Sequence, residues 1–142
     1  MKNKIIFICT GNSCRSQIAE GLFRDEAGDK FEVFSAGSHP SRLHPAAIMV
    51  MDEWGIDIRN QKSEKIDKYL DKGINAVITV CDNAKNTCPK FPNGKVSMHW
   101  SIKDPFHGWH DHEKNLEPYR TTRNQIKKRI QDLLQKDEMK NL

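Results

Sequence analysis

The stretch Ile5-Ile-Phe-Ile-Cys9-Thr-Gly-Asn-Ser-Cys-Arg-Ser16 decides the fold of this 142-residue chain. Its apolar run, which ends at Cys9, is typical of a strand that is buried on both faces. Polar residues then break the strand, and apolar side chains recur at helical spacing from Ile18 to Phe23, with Gly28 as a stop. The stretch therefore predicts a buried strand, a tight loop and a helix in direct succession.

Strand and helix patterns alternate along the rest of the chain. Three more strands are predicted over residues 31–36, 74–80 and 95–98, and three more helices from His44-Pro45, from Ser63 and from Pro118. This alternation predicts an α/β fold: a three-layer open sheet of about four parallel strands with helices on both faces. We expect a single domain over residues 1–142, in which residues 136–142 form a frayed tail. Trp54 is expected in the core.

The composition narrows the class of protein. Hydrophobic residues make up 37% and charged residues 30% of the chain, and the net charge is +4. No apolar run approaches the roughly 20 residues that span a bilayer, and Ile5–Ile8 is too short for the core of a signal peptide. We therefore expect a cytoplasmic protein without a membrane segment. The basic residues are dispersed, which argues against nucleic-acid binding and suits a small anionic ligand.

The loop after Cys9 predicts an anion-binding cradle. Backbone N–H groups converge in such a turn, and the start of the helix adds donors and partial positive charge. Arg15 can bind two oxygens of a tetrahedral oxyanion. The same surroundings lower the pKa of a cysteine, so we expect Cys9 to be a nucleophilic thiolate that accepts a hydrogen bond from Ser16. The expected binding residues are Thr10, Gly11, Asn12, Ser13, Cys14, Arg15 and Ser16. In the alternative interpretation Cys9 is a small buried side chain and Arg15 lies in a surface ion pair.

The cysteine spacing argues against a metal site. Cys9, Cys14, Cys81 and Cys88 are separated by four, sixty-six and six residues, which does not match a four-cysteine zinc site. The loop over His107–His112 is predicted to be solvated, and we expect no metal there. Two questions stay open at this point: the role of Cys14, and whether a monovalent cation binds near Asn12, Glu20, Ser35 and Glu64.

The segment Cys9-Thr-Gly-Asn-Ser-Cys-Arg-Ser-Gln-Ile-Ala-Glu-Gly21 resembles a known signature. It is similar to the phosphate loop of low-molecular-weight protein tyrosine phosphatases and of the thioredoxin-coupled arsenate reductases built on the same fold. The resemblance extends over most of the chain through Ser35-Ala36-Gly37, His44-Pro45-Ala46 and Asp104-Pro105. Ser13, Gln17 and Phe106-His107 favour the reductases, because the phosphatases usually carry isoleucine, proline and tyrosines there.

The resemblance implies a reaction with three thiols in relay. Cys9 would attack arsenate with Asp104 as the general acid, and Cys81 would then form a Cys9–Cys81 disulfide and release arsenite. Cys88 would convert this bond into a Cys81–Cys88 disulfide, which thioredoxin would reduce. The resemblance implies no bound cofactor, competition by phosphate or sulfate, and a monomer. Glutathione and mycothiol remain open as alternative electron donors.

Two other functions fit parts of the sequence. A protein tyrosine phosphatase would use the same cradle to form a Cys9-phosphate, but it would need neither Cys81 nor Cys88. A non-enzymatic oxyanion-binding module would need the cradle and Arg15, but no thiol at Cys9.

Overall fold

The computed structural model describes residues 2–110 and 115–142 and confirms the predicted parallel α/β fold. The strands are β1 (Asn3–Cys9), β2 (Phe31–Gly37), β3 (Ala76–Thr79) and β4 (Val96–His99). The helices are α1 (Arg15–Ala27), α2 (Pro45–Asp52), α3 (Asp82–Thr87), α4 (Glu117–Leu134) and α5 (Asp137–Lys140), with a 3-10 helix at Ile66–Tyr69. The strand order is β2-β1-β3-β4, and all three pairings are parallel.

The central strand β1 explains why this sequence folds around the N-terminal stretch. Ile5, Ile6, Phe7 and Ile8 are all completely buried, and β1 pairs with β2 on one side and with β3 on the other. Helix α1 packs against β1, β2 and α4, and α3 packs against β1 and β3. The carboxyl ends of β1 and β3 therefore lie side by side, where parallel sheets bind ligands.

The helix predicted from Ser63 is instead the 3-10 helix Ile66–Tyr69, and the structure also differs from the sequence predictions at the C-terminus and at Trp54. Where a frayed tail was expected, α5 forms one helical turn whose Met139 is buried, and the Asn3 side chain donates a hydrogen bond to the Leu142 carbonyl. Trp54 was expected in the core, but it is 41% exposed and its ring lies 3.9 Å from the Arg123 guanidinium carbon. A cation–π contact of this kind holds a large ring at the surface without burying it.

In the part of the chain that the structure describes, no helix has the length and apolar character needed to cross a bilayer.

Candidate active site

The loop between β1 and α1 adopts a backbone shape that depends on two residues. Asn12 has a φ of 46°, a left-handed conformation that asparagine tolerates better than most residues. Gly37 runs alongside, where a Cβ atom would lie 2.4 Å from the Thr10 carbonyl oxygen. A side chain at position 37 would therefore displace the loop, which explains the glycine at the end of β2.

The sulfur of Cys9 sits at the bottom of this loop. The Asn12 backbone N–H donates a hydrogen bond to Cys9 Sγ over 3.1 Å, and Ser16 Oγ lies 2.8 Å from the same sulfur. Because Ser16 Oγ also accepts a hydrogen bond from Asn12 Nδ2 at 2.8 Å, its own hydrogen is free to point at the sulfur. The predicted contact between Ser16 and Cys9 is therefore present.

The electrostatics of Cys9 differ from the sequence prediction of a lowered pKa. Burial raises the pKa of the Cys9 thiol, while the hydrogen bonds of Ser16 and the charge of Arg15 act in the opposite direction. The sequence shows the donors around the sulfur but not how completely it is removed from water. Any reaction at Cys9 must therefore provide an acceptor for the thiol proton.

The structure brings Arg15 and Asp104 to the same cavity as Cys9. This cavity has a volume of about 240 Å³, and its walls also include Gly11, Ser13, Ser41, Phe106 and Trp109. Arg15 Nη1 donates a hydrogen bond to the Ile102 carbonyl at 2.9 Å, and Nη2 lies 3.5 Å from Asp104 Oδ2. The other carboxylate oxygen of Asp104 accepts the Phe106 N–H at 3.0 Å. Arg15 is thus held by the Ile102 carbonyl and by Asp104, and Asp104 belongs to the segment of residues 103–110, termed here the Asp104 loop.

A buried polar network supports the cradle from behind. Asn12 Nδ2 donates to Ser35 Oγ at 2.9 Å, Ser35 Oγ donates to Glu20 Oε1 at 2.6 Å, and the Glu64 backbone N–H donates to Asn12 Oδ1 at 2.9 Å. Glu20 also pairs with Arg24. The four residues considered for a monovalent cation are therefore joined directly or through the Glu64 backbone.

The described residues contain no group of three or more His, Cys, Asp or Glu side chains that could hold a metal ion. Asp111 and His112 of the predicted solvated loop lie outside the described residues.

Cys81 lies beside the cradle, and Cys88 lies one short helix away. Cys81 is 2% exposed, and its Sγ is 3.4 Å from Thr10 Oγ1. Asn83 Nδ2 donates to the same Thr10 hydroxyl at 3.1 Å. Cys88 follows α3, lines a separate cavity of about 410 Å³ and has a pKa raised by burial. All four cysteines are free thiols.

Cys14 lines the same cavity as Cys9. Burial raises the pKa of both thiols, that of Cys14 to about 12. Their contacts differ, because Cys9 Sγ lies 3.1 Å from the Asn12 nitrogen and 2.8 Å from Ser16 Oγ, whereas Cys14 Sγ lies 4.0 Å from Ser13 Oγ. The short contacts that favour a thiolate are those of Cys9.

The sequence predictions missed two residues that position the cradle. Gln17 Nε2 donates to the Asn12 carbonyl and to the Lys62 carbonyl, both at 3.0 Å, and thereby ties the loop to the segment before the 3-10 helix. His44 precedes a helix-starting proline and belongs to the His44-Pro45-Ala46 match, neither of which predicts a contact with the cradle, yet its backbone N–H bonds the Ser13 carbonyl at 3.1 Å. Its long-range contacts leave no periodic signal in the sequence.

The thiol of Cys9 lies at the end of a strand, and the loop above it carries Arg15 at the start of a helix. This arrangement is typical of a phosphatase-like anion-binding domain. Residues 4–141 match the family described as low molecular weight phosphotyrosine protein phosphatase, and the chain belongs to this family. This match confirms the resemblance noted in the sequence.

Individual relatives narrow the comparison. The chain is 41% identical over 129 residues to the arsenate reductase of Halalkalibacterium halodurans, covering 91% of this chain and 93% of the relative. A solved arsenate reductase in its phosphate-binding state superposes with a TM-score of 0.79 at 38% identity, over 94% of this chain and 96% of the other. The thioredoxin-dependent arsenate reductase of Corynebacterium glutamicum superposes with a TM-score of 0.74 at 27% identity, over 94% of this chain and 60% of that chain.

Proposed function

We propose that this chain reduces arsenate to arsenite through a relay of the thiols Cys9, Cys81 and Cys88. The observation that carries the proposal is the position of Cys81: its sulfur contacts Thr10, the residue next to Cys9, from the end of the neighbouring strand. A hydrolytic phosphatase has no use for a second thiol there. The arsenate reductases among the relatives support the same substrate.

In the first step the Cys9 sulfur attacks arsenic. The loop N–H groups and Arg15 bind the arsenate dianion, and a dianion oxygen accepts the Cys9 proton that burial otherwise retains. Asp104 relays a proton from the bound oxyanion to the departing hydroxyl, which leaves as water, and the Asp104 carboxylate is regenerated. Atoms balance: one thiol and HAsO₄²⁻ give a Cys9–S–AsO₃²⁻ adduct and one water.

In the second step Cys81 attacks the Cys9 sulfur. A Cys9–Cys81 disulfide forms, and the electron pair of the sulfur–arsenic bond stays on arsenic, which is reduced from arsenic(V) to arsenic(III). The Cys81 proton leaves with arsenite. The contact of Cys81 with Thr10 places this thiol beside the cradle before the step begins.

In the third step Cys88 attacks Cys81 and releases Cys9 as a thiol. Cys81 and Cys88 flank the six-residue helix α3, and seven residue steps of helix span about 10 Å. A disulfide needs Cα atoms about 4.4–6.8 Å apart, so α3 must unwind before the Cys81–Cys88 bond closes. An external dithiol then reduces this bond, and the thioredoxin-dependent relative supports thioredoxin as that reductant.

The test counts thiols after the reduced protein meets arsenate. We expect a loss of two thiols and the release of one arsenite per chain. Cys88→Ser should stop at a Cys9–Cys81 disulfide that mass spectrometry identifies, whereas Cys81→Ser should form none. His39→Asn, at an exposed position, is the control and should still lose two thiols. An unchanged thiol count in the parent chain would refute the proposal.

A tyrosine phosphatase activity is the second candidate, favoured by the cavity that Cys9 shares with Arg15 and Asp104 and by the family match. Hydrolysis of an aryl phosphate that survives Cys81→Ser and Cys88→Ser, together with an unchanged thiol count in arsenate, would support it over the reductase.

A further inference from the structure

We propose that His44 is a positioning residue that holds the Asp104 loop over the cradle. The inference rests on the proposed function, since it assigns His44 a role in presenting the general acid of that reaction. It concerns a histidine that is completely buried.

His44 joins the cradle, α2 and the Asp104 loop, and its ring also packs against Tyr119 of α4 with centroids 5.3 Å apart. Its backbone N–H bonds the carbonyl of Ser13 in the cradle, and its Nδ1 accepts the Ala46 N–H at 3.0 Å as the side-chain cap of α2. On its other side, Nε2 lies 2.8 Å from the Gly108 carbonyl oxygen in the Asp104 loop. The side chain is completely buried, so these bonds form away from water.

The bonding pattern assigns the tautomer of His44. An Nδ1 atom that accepts the Ala46 N–H carries no hydrogen, so the ring hydrogen resides on Nε2. Nε2 therefore donates to the Gly108 carbonyl, and the loop is held by a directed hydrogen bond. Gly108, which accepts this bond, has a φ of 117°, a conformation that favours glycine and lets the loop turn there.

Aromatic contacts extend this anchor along the Asp104 loop. The Trp109 ring stacks on the His44 ring with centroids 4.8 Å apart and 16° between planes, and Phe106 meets the same ring edge-on at 5.6 Å. The Arg42 guanidinium carbon lies 4.3 Å from the Trp109 ring centroid. The loop is thus fixed at Phe106, Gly108 and Trp109.

The backbone of the Asp104 loop connects the contacts of His44 to the Asp104 carboxylate. Phe106, which packs on His44, donates its N–H to one oxygen of Asp104. The other oxygen faces Arg15. Asp104 itself is exposed, with 56% of its side chain accessible, so burial does not hold it in place. Its position over the cradle depends on the loop, and the loop is held at His44.

The test uses a substitution that separates the two side-chain bonds of His44. Asparagine at position 44 keeps a cap acceptor for the Ala46 N–H, but it is too short to reach Gly108. We expect His44→Asn to melt within a few degrees of the parent chain. It should slow arsenate-driven thiol loss by about 10- to 100-fold, since misplacing a catalytic group by about 1 Å can cost 10²-fold. The affinity for inorganic phosphate should change less than about threefold, because the cradle is intact.

The decisive measurement is a double-mutant cycle with Asp104→Asn. If His44 acts through Asp104, His44→Asn should slow the reaction less than about twofold once Asp104 is already replaced. Trp109→Ala, which loosens the loop from its surface side, should give the same result. His39→Asn, at an exposed histidine outside this cluster, is the matched control and should have no effect on the rate.

If the double variant loses rate by the product of the two single effects, His44 and Asp104 act independently and the proposal is overturned. A parent-like rate of thiol loss in His44→Asn would also overturn it. So would a phosphate affinity that falls by the same factor as the rate. The same cycle run on the phenol burst from an aryl phosphate distinguishes this failure from failure of the proposed function. If arsenate removes no thiols, a non-additive cycle in the burst still supports the role of His44. A parent chain that gives neither reaction overturns both.

Discussion

At the scale of single residues, the reactivity of Cys9 is set by opposing effects. Burial raises the pKa of its thiol, whereas Ser16, the Asn12 N–H and Arg15 favour the thiolate. Hydrogen bonds to a charged group contribute about 1.5–3 kcal/mol each, so losing one changes the thiolate population by tenfold or more. Ser16 contributes the largest favourable effect on this balance.

Ser16→Ala should therefore raise the pKa of Cys9 further. Because a higher pKa means less thiolate at a given pH, alkylation of Cys9 by iodoacetamide at pH 8 should slow by about tenfold. Mass spectrometry of the labelled protein measures this rate at Cys9 itself. Ser97→Ala, at an exposed position of β4, is the control. Alkylation at the parent rate in Ser16→Ala would show that the hydroxyl does not stabilise the thiolate.

At the scale of elements, α2 and α4 are joined by a charged cluster. Glu53, the residue after α2, accepts hydrogen bonds from Arg120 and Arg123 of α4. These two arginines lower the pKa of Glu53 to about 2. A depressed carboxyl pKa adds stability above the ordinary value near 4.5, and this contribution is lost as the pH falls toward 2.

Glu53→Gln should lower the free energy of unfolding at pH 7 by about 1 kcal/mol, a value reduced for the partial exposure of the pair. The difference from the parent chain should shrink as the pH falls from about 5 to 3. Urea unfolding across this range measures it, with Glu32→Gln on β2 as the control. A difference that stays constant with pH would mean that charge at Glu53 does not contribute.

The helix α3 is the element that must change most during the proposed relay. It has six residues, of which only Ala84 is buried, and Pro89 prevents its continuation. Two contacts hold its start: His99 Nε2 lies 2.9 Å from Asp82 Oδ1, and Asn83 donates to Thr10. Few apolar contacts oppose its unwinding, so local opening should cost little free energy.

Oxidation to the Cys81–Cys88 disulfide should increase hydrogen exchange across residues 82–90. The reason is the length mismatch between a helix of this span and a disulfide. Exchange of the reduced and oxidised forms, compared by mass spectrometry, measures the change, and α1 provides an internal control. Equal protection of residues 82–90 in both forms would show that the disulfide closes without unwinding α3.

Elements with a local signal were predictable from the sequence, and long-range contacts were not. The buried strand and following helix were predicted because Ile5–Ile8 and Ile18–Phe23 carry their own periodicity. Trp54 was misplaced because its helical spacing suggested burial, while Arg123, far along the chain, holds it at the surface. The buried Met139 lies in a polar tail whose local sequence predicts no packing.

The candidate site shows the same division. Cys9, Arg15 and Ser16 lie within one loop, so their proximity follows from the motif. The sequence predicts that β1 and β3 end at the same sheet edge, which brings Cys81 near the cradle. It does not predict the contact of Cys81 with Thr10 itself. The anchoring of Gly108 by His44 spans 64 residues and depends on how two loops pack.

At the level of the whole molecule, the cradle contacts segments that lie far apart along the chain. It joins the end of β1 and the start of α1, contacts Gly37 of β2, and is bonded by Ser63 and Glu64 before the 3-10 helix. His44 adds α2 and the Asp104 loop. An anion that binds only the intact cradle should therefore stabilise the whole domain rather than one loop.

Inorganic phosphate should consequently raise the melting temperature. At a concentration about 100 times its dissociation constant, binding adds about 2.7 kcal/mol, which corresponds to roughly 5–10 °C for a domain of this size. Arg15→Lys should lose most of this increase, because an ammonium group cannot bind two oxygens in one plane. Chloride at matched ionic strength controls for salt, and Arg59→Lys, at an exposed ion pair, controls for the substitution. An equal increase in Arg15→Lys would place phosphate outside the cradle, and no increase in the parent chain would mean that the folded loop does not bind a tetrahedral oxyanion.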